Sequence, residues 1–437
     1  MNESYPMITK IMERELIPAL GCTEPVAYGL AAATARYYAG GAQIKKISID
    51  ASPAMIKGVA YVKIPHSGGL NGGKYASAIG AFGGDHKLDM QVFAAVTDDK
   101  VKEAVAFADQ GFVTIKKVDV NSKLYLKVTV TTDAGEATAL VIESHNNICR
   151  IEKDGKVIKD TMQATAQNAA QSKETLDYSV LSVASIYDYC KNAPMSMFQR
   201  IEEGIELTKK IALDGMENVY GLQVGRNIKA AAGGEIIGDD IATLATMWGA
   251  AGVDARMGGS GFPAMSNSGS GNQGITCSMP VIAVAAHLDK PYEETVRAVA
   301  FSNLLTIFVK THFDVNYGRL APVCCAAVAA GGAGAGIAYL YGVSAKEAEM
   351  ILQNVLGSVA GLFCDGAKSN CALKVAMALQ GAMQSVILAK AGFAAGELDG
   401  VVGKTIEETI CNFFRIQKEG MPNIEDVLCD IESKKSV

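Results

Sequence analysis

A chain of 437 residues, 49% of them hydrophobic and 20% charged, is long enough to bury more than one core without disulfides. Its 40 Lys and Arg are spread against 46 Asp and Glu, for a net charge of -6 with no basic run. That excludes the electrostatic footprint of a binder of nucleic acid or anionic membrane and leaves a small molecule as the expected partner. Ten cysteines, in a chain whose first apolar residues are interrupted by Glu3, Lys10, Glu13 and Arg14, lead us to expect a reducing, cytoplasmic setting in which thiols stay free to bind metal or do chemistry.

In chain order, Ile8 to Leu20 and Val26 to Tyr38 have helical apolar spacing. The Gly- and Pro-punctuated turn Ala19-Leu20-Gly21-Cys22-Thr23-Glu24-Pro25 lies between them, which puts Cys22 at a helix junction. Strand-like runs follow at Lys45 to Ile49, Val59 to Ile64, Leu124 to Thr131 and Ala137 to Glu143, the last two joined by the hairpin signal Asp133-Ala134-Gly135, with a second hairpin at Asp154-Gly155. The polar stretch Met162 to Glu174 reads as a connection. From about Leu176 the texture is helical, and Ile241 to Val253, Met279 to His287, Val296 to Val309 and Ala372 to Lys390 lack a fully polar face, as helices buried on most sides do. The expected fold class is therefore α+β: a mixed α/β domain over 1–175, then an all-α domain over 176–437 with a central buried helix. Leu320 to Val343 carries no charge and is long enough to span a bilayer, but its Ala and Gly content, Pro322 and two thiols favour a closely packed buried helix.

Three motifs carry chemistry. Ser266 to Gly274 holds a G-x-G-x-x-G at Gly269, Gly271 and Gly274, but its Gly- and Pro-rich approach and helical surroundings do not suit a dinucleotide fold. Ser268, Ser270, Asn272 and free amides ahead of a helix near Gln273 would instead receive an anion such as an amino-acid carboxylate, an ordinary helix-start loop being the alternative. The string also resembles the Ser-Gly-Asn loop of pyridoxal-phosphate dehydratases, yet no Ser-x-Lys on a strand precedes it. Cys324 and Cys325 follow Arg319 and Pro322, and Cys364 and Cys371 flank a loop of Asp, Gly, Lys, Ser and Asn that makes poor core material. A lone Cys in an Ala-rich helix is ordinarily a small core residue. Zinc-type C-x2-C pairs and ferredoxin-type runs are missing from the sequence. A cluster on three protein thiols would leave one iron open, as a Lewis-acid site requires.

Gly21 to Pro25, Ile64-Pro65-His66-Ser67-Gly68-Gly69-Leu70-Asn71-Gly72, Ser268 to Gly274, Pro322-Val323-Cys324 and Cys364 to Cys371, in this order, resemble the L-cysteine desulfidase family, related to the iron-sulfur L-serine dehydratases. The resemblance implies a β-chain-like α/β domain fused to an α-chain-like helical domain, and a [4Fe-4S] cluster on Cys324, Cys364 and Cys371. It implies β-elimination of L-cysteine to pyruvate, ammonia and hydrogen sulfide, with Cys22 as base and His66 or His312 as alternatives. Ser67 would help orient the substrate, and Lys310 and Arg319 would pair with its carboxylate. The close spacing of Cys364 and Cys371, and Cys22 where serine dehydratases carry a Ser- and His-rich motif, favour cysteine over serine. L-Serine dehydratase with the same cluster, and an iron-sulfur or amino-acid sensor without turnover, are the rival readings. The two-part build suits a homodimer.

Overall fold

The structure, a computed structural model, describes residues 2–21, 23–41, 43–120, 122–162, 176–315, 317 and 321–435. The chain is α+β and divides into two compact units: a helical one of Met1–Pro18, Leu176–Cys364 and Ser369–Pro422, and an α/β one of Ala19–Thr175, Asp365–Lys368 and Asn423–Val437.

The first helix, α1 (Tyr5–Glu15), stops earlier than the apolar spacing of Ile8 to Leu20 suggests, and the chain continues as strand β1 (Leu16–Leu20). Pro18 is the reason: it has no N–H to donate, and its ring pushes Ile17 out of the helical region.

In the α/β unit, α2 (Thr23–Ala39), α3 (Pro53–Val59), α4 (Gly73–Gly83) and α5 (Asp98–Phe107) accompany β2 (Ile44–Ala51), β3 (Val113–Lys117), β4 (Tyr125–Thr132), β5 (Glu136–Ile142), β6 (Ile148–Lys153) and β7 (Lys156–Asp160). The sheet order is β3-β2-β4-β5-β6-β7, with β2 and β3 parallel and the other pairs antiparallel. Both predicted hairpins are present, with Val128 opposite Ala139 in the first and Lys153 opposite Lys156 in the second. Leu126, Val128, Val130 and Thr132 alternate inward, so one sheet face is core. Packed on that face, α2 and α4 touch backbone to backbone, because a Cβ on Gly80 would lie 2.3 Å from the Gly29 carbonyl oxygen. The strand expected at Val59 to Ile64 is instead the end of α3 and a loop. Ser52 caps that helix by accepting from the Met55 amide (3.4 Å), and Pro53 starts it. Of the predicted connection Met162 to Glu174, all but Met162 lies outside the described residues.

The helical unit contains α6 (Val183–Asn192), α7 (Gln199–Glu217), α8 (Val224–Ala231) and α9 (Ile241–Gly258), then strand β8 (Pro263–Asn267). They are followed by α10 (Gly271–His287), α11 (Tyr292–His312), α12 (Cys325–Leu340), α13 (Ala345–Ser358), α14 (Asn370–Lys390) and α15 (Ile406–Arg415). The last helix, α16 (Ile424–Ser433), belongs to the α/β unit, where Glu425 pairs with the buried Lys57 of α3. The helical region is not purely helical, because β8 pairs with β1 as a two-stranded ribbon. Its centre is α10, buried without a break from Gly271 to Ala285, with α9, α11 and α12 packed around it. Small residues make this possible. On α12, a Cβ on Gly332 would stand 2.2 Å from Thr306 Oγ1 of α11, and one on Gly336 would stand 2.8 Å from Ser302 Cβ of α11 and Val281 Cγ2 of α10. Within the uncharged run Leu320 to Val343, α12 is therefore a buried core helix. Among the described residues α14 alone is long and apolar enough to cross a membrane, and half of its most apolar window is buried.

Candidate active site

The loop from Ser266 to Gly274 turns inward. A strand does precede its glycines, contrary to the sequence reading, but this strand is β8 of the ribbon rather than part of a βαβ unit, so a dinucleotide fold remains unsuited. Ser266 donates to the Ile17 carbonyl (2.6 Å), and the Ser268 amide donates to the Glu15 carbonyl (3.0 Å). Ser268 adopts a positive φ of 47° with its hydroxyl turned onto Asn267 Oδ1 (2.9 Å), so it serves the loop's own network. Ser270 is the N-cap of α10 and accepts from the Gln273 amide (3.3 Å). Asn272, buried in the first turn, accepts from Arg256 Nη1 (2.9 Å) through Oδ1. Beneath them lies a chain of amides: Gln273 Nε2 donates to the carbonyl and Oδ1 of Asn267 (3.2 Å each). Asn267 Nδ2 donates to Asn303 Oδ1 (3.0 Å), and Asn303 Nδ2 donates to Ser278 Oγ (2.9 Å).

Arg256, in the last turn of α9 and 3% exposed, was not singled out by its sequence position. A lone cation in an Ala- and Gly-rich apolar helix is the signal that marks it, since buried Arg is rare. Its guanidinium lies flat against Gly271, where a Cβ would stand 2.3 Å from Nε. Lys310 of α11, 4% exposed, is the second buried cation. Both act on the half-buried thiol of Cys325. A hydrogen bond with Cys324 above all, then Ser270, Lys310 and Arg256, hold Cys325 toward its thiolate form against the opposing effect of burial. Cys324 is driven the other way, first by that same hydrogen bond, then by burial and the nearby thiols of Cys325 and Cys364. Thus Ser270, Asn272, Lys310 and Cys324 meet at one place, together with Arg256 and Cys325.

Cys324 and Cys364 are joined through the backbone. Val323 and Phe363 form an antiparallel bridge, with the Cys324 amide donating to Leu362 (2.8 Å) and the Cys364 amide donating to Pro322 (2.6 Å). Cys324 is also the N-cap of α12, and Cys371 stands in the first turn of α14 in the same unit. Cys364 and Cys371 are half-buried. Among the described residues no three His, Cys, Asp or Glu side chains converge as the ligands of a single ion would. A [4Fe-4S] cluster does not require that, because each thiolate binds a different iron, and thiols are its usual donors. The donors are thus of the chemistry such a cluster takes, and the bridge pairs two of the three, Cys324 and Cys364.

In the α/β unit, His66 sits exposed at a positive φ of 57° in a loop closed by the Ile64 amide on the Leu70 carbonyl (2.9 Å). The Ser67 hydroxyl donates to the Ile64 carbonyl (2.6 Å) and Lys63 to the Gly69 carbonyl. Gly21 abuts this loop, where a Cβ would stand 2.3 Å from Pro65 Cγ. Cys22 itself lies outside the described residues, as does Arg319. His312 ends α11 exposed, its ring edge-on to Phe308 at 5.1 Å.

These features define an α+β protein whose helical unit brings buried cations and a helix N-terminus to a paired-cysteine bridge. The chain belongs to the serine dehydratase alpha chain family, whose pattern matches residues 91–430. It is 37% identical over 426 residues to a UPF0597 protein of Oleidesulfovibrio alaskensis, covering 97% of each chain. It is 35% identical over 439 residues to one of Clostridium perfringens, covering 100% of both. To one of Vibrio parahaemolyticus it is 33% identical over 433 residues, covering 99% of this chain and 100% of the relative.

Proposed function

We propose that the protein is an iron-sulfur-dependent lyase of amino-acid catabolism that eliminates hydrogen sulfide from L-cysteine in the reducing cytoplasm. In this reading the α/β and helical units correspond to the β-like and α-like parts of a serine dehydratase. Cys324, Cys364 and Cys371 hold the [4Fe-4S] cluster, which, when bound, supplies a Lewis-acid iron for the leaving group. The observation that carries the reading is the bridge pairing Cys324 with Cys364 in the unit that also sets Ser270, Asn272 and Lys310 around Cys325.

The chain's own residues supply the rest. Ser270, Asn272 and the positive end of α10, with Lys310, receive the substrate carboxylate. Burial of these groups excludes water and strengthens their hold on the anion. A base takes the Cα proton and the Cβ–S bond opens to release sulfide, leaving aminoacrylate, which water converts to pyruvate and ammonia. We assign the base to Cys22, with His66 of the α/β unit or His312 of α11 as the alternative. Cysteine is favoured over serine by the close spacing of Cys364 and Cys371 and by a thiol at position 22. Anaerobically reconstituted protein is expected to be brown and to release equal amounts of sulfide and pyruvate from L-cysteine, faster than it releases pyruvate from L-serine. Full activity in a colourless, iron-free preparation would overturn the reading, and preference for serine would reassign the substrate. Loss of turnover with retained colour in Cys22→Ser is the outcome that supports Cys22 as base.

A further inference from the structure

One acceptor in the buried amide chain is left over. Gln273 is fully buried, and both acceptors offered to its amide, the carbonyl and side-chain oxygens of Asn267, face Nε2, which fixes which arm is nitrogen. The other arm, Oε1, has no hydrogen-bond partner among the described residues. A buried amide oxygen is rarely left so, and what it accepts is an N–H or O–H donor. The preceding residue, Asn272, is held by Arg256, whose planar fork lies on Gly271 with no side chain between them. A planar fork beside a helix N-terminus is matched to a carboxylate. The first turn of α10 thus offers an acceptor on Gln273 and a cation flanking Gly271 and Asn272.

We propose that this turn is an α-amino-acid site in which Arg256 joins Ser270, Asn272 and Lys310 in taking the carboxylate and Gln273 Oε1 takes the ammonium. This rests on the lyase reading for the identity of the amino acid but not for the binding itself. The two groups then decide specificity: a thiol-bearing acid without an amine, or an amine without a carboxylate, satisfies only one of them.

The test is calorimetry on the full-length reconstituted protein with ligands that cannot undergo elimination. L-Alanine keeps both groups, propionate lacks the ammonium and ethylamine lacks the carboxylate. Wild type should bind L-alanine about tenfold or more tighter than either fragment, since a site built for a hydrogen bond rejects an analogue without it. Gln273→Met should reduce L-alanine to the affinity of propionate and leave propionate unchanged, whereas Arg256→Lys should weaken both by about tenfold. Gln273→Glu, which keeps the side-chain shape, should bind L-alanine more tightly and propionate no better, and it serves if the Met variant does not fold. Equal binding of alanine and propionate by wild type, or variants with wild-type affinities, would overturn the proposal. L-Alanine binding as described without sulfide release from cysteine would overturn the lyase reading and leave this site standing.

Discussion

The two glycine-rich loops singled out by their composition have opposite fates. In the α/β unit, the loop around His66 satisfies itself: Ser67 and Lys63 bond to backbone carbonyls a few residues away, and His66 points to solvent. In the helical unit, the loop from Ser266 to Gly274 bonds partly within itself, through Ser268 and Gln273 on Asn267, but it also sends side chains outward, to Asn303, Arg256, the Ile17 carbonyl and Cys325. Glycine content alone does not distinguish them. The loop in which side chains leave the loop's own backbone is the one able to meet a ligand.

Breaking the helical unit's site should have the largest effect. Cys364→Ser is expected to prevent cluster retention and to lower cysteine turnover by about 10³-fold or more, measured as iron content and sulfide release. Next comes the amide chain: Asn303→Ala strands Asn267 and Ser278 in the core and should cost roughly 2–4 kcal/mol in urea unfolding. A cost under about 1 kcal/mol would show that the network is not what holds the loop inward. Gly271→Ala places a methyl on the Arg256 guanidinium and should raise KM for cysteine by about tenfold with little change in iron content. For acidity, Asp254 of α9 is buried and its carboxyl is pushed up to about 6 by burial, opposed by the amides of Gly225 and Val224 that it accepts. Because the folded value lies above the ordinary 3.8, its favourable contribution is present in acid and lost as pH rises toward and through 6. Asp254→Asn should flatten that decline between pH 4 and 6.5, read as the difference from wild type in urea midpoints. The smallest effect belongs to the other loop: His66→Ala should change turnover by less than about threefold and stability by less than about 0.5 kcal/mol. A hundredfold loss would mean that His66 reaches the substrate, and the contrast between the loops would fail.

Much of this was legible locally. The apolar, faceless runs became α9, α10, α11 and α14, and the Asp133 and Asp154 turns became hairpins, because each signal is carried by residues close in sequence. The pattern failed where one residue overrode it: Pro18 ended α1, and Ser52-Pro53 started a helix that runs into the strand-like segment at Val59. The strand β3 was overlooked because only Val113 of its five residues is buried, so it has no apolar stripe to read. At the site, Ser270 and Asn272 were readable as polar groups at a helix start, although α10 begins at Gly271 rather than near Gln273. Arg256 carries a signal as the lone cation of an apolar helix, but its meeting with Asn272 and the orphan oxygen of Gln273 were not readable, since the first is delivered by the packing of α9 on α10 and the second exists only once Asn267 has taken the nitrogen.

The glycines of α12 bear on how such a protein can drift over evolutionary time. Cys324 caps a rod whose neighbours occupy the very volume that side chains at 332 and 336 would need. A core of large residues can wander by trading a methyl here for a methyl there, but a helix already stripped to hydrogen has nothing left to trade. A methyl at 332 would also meet the Ser302 carbonyl at 2.6 Å, and one at 336 would also meet Val281 of α10 and the Ala298 carbonyl at 3.0 Å, so no single deletion on α11 makes room, and the mounting of this thiol should stay fixed while the loops around it vary one residue at a time.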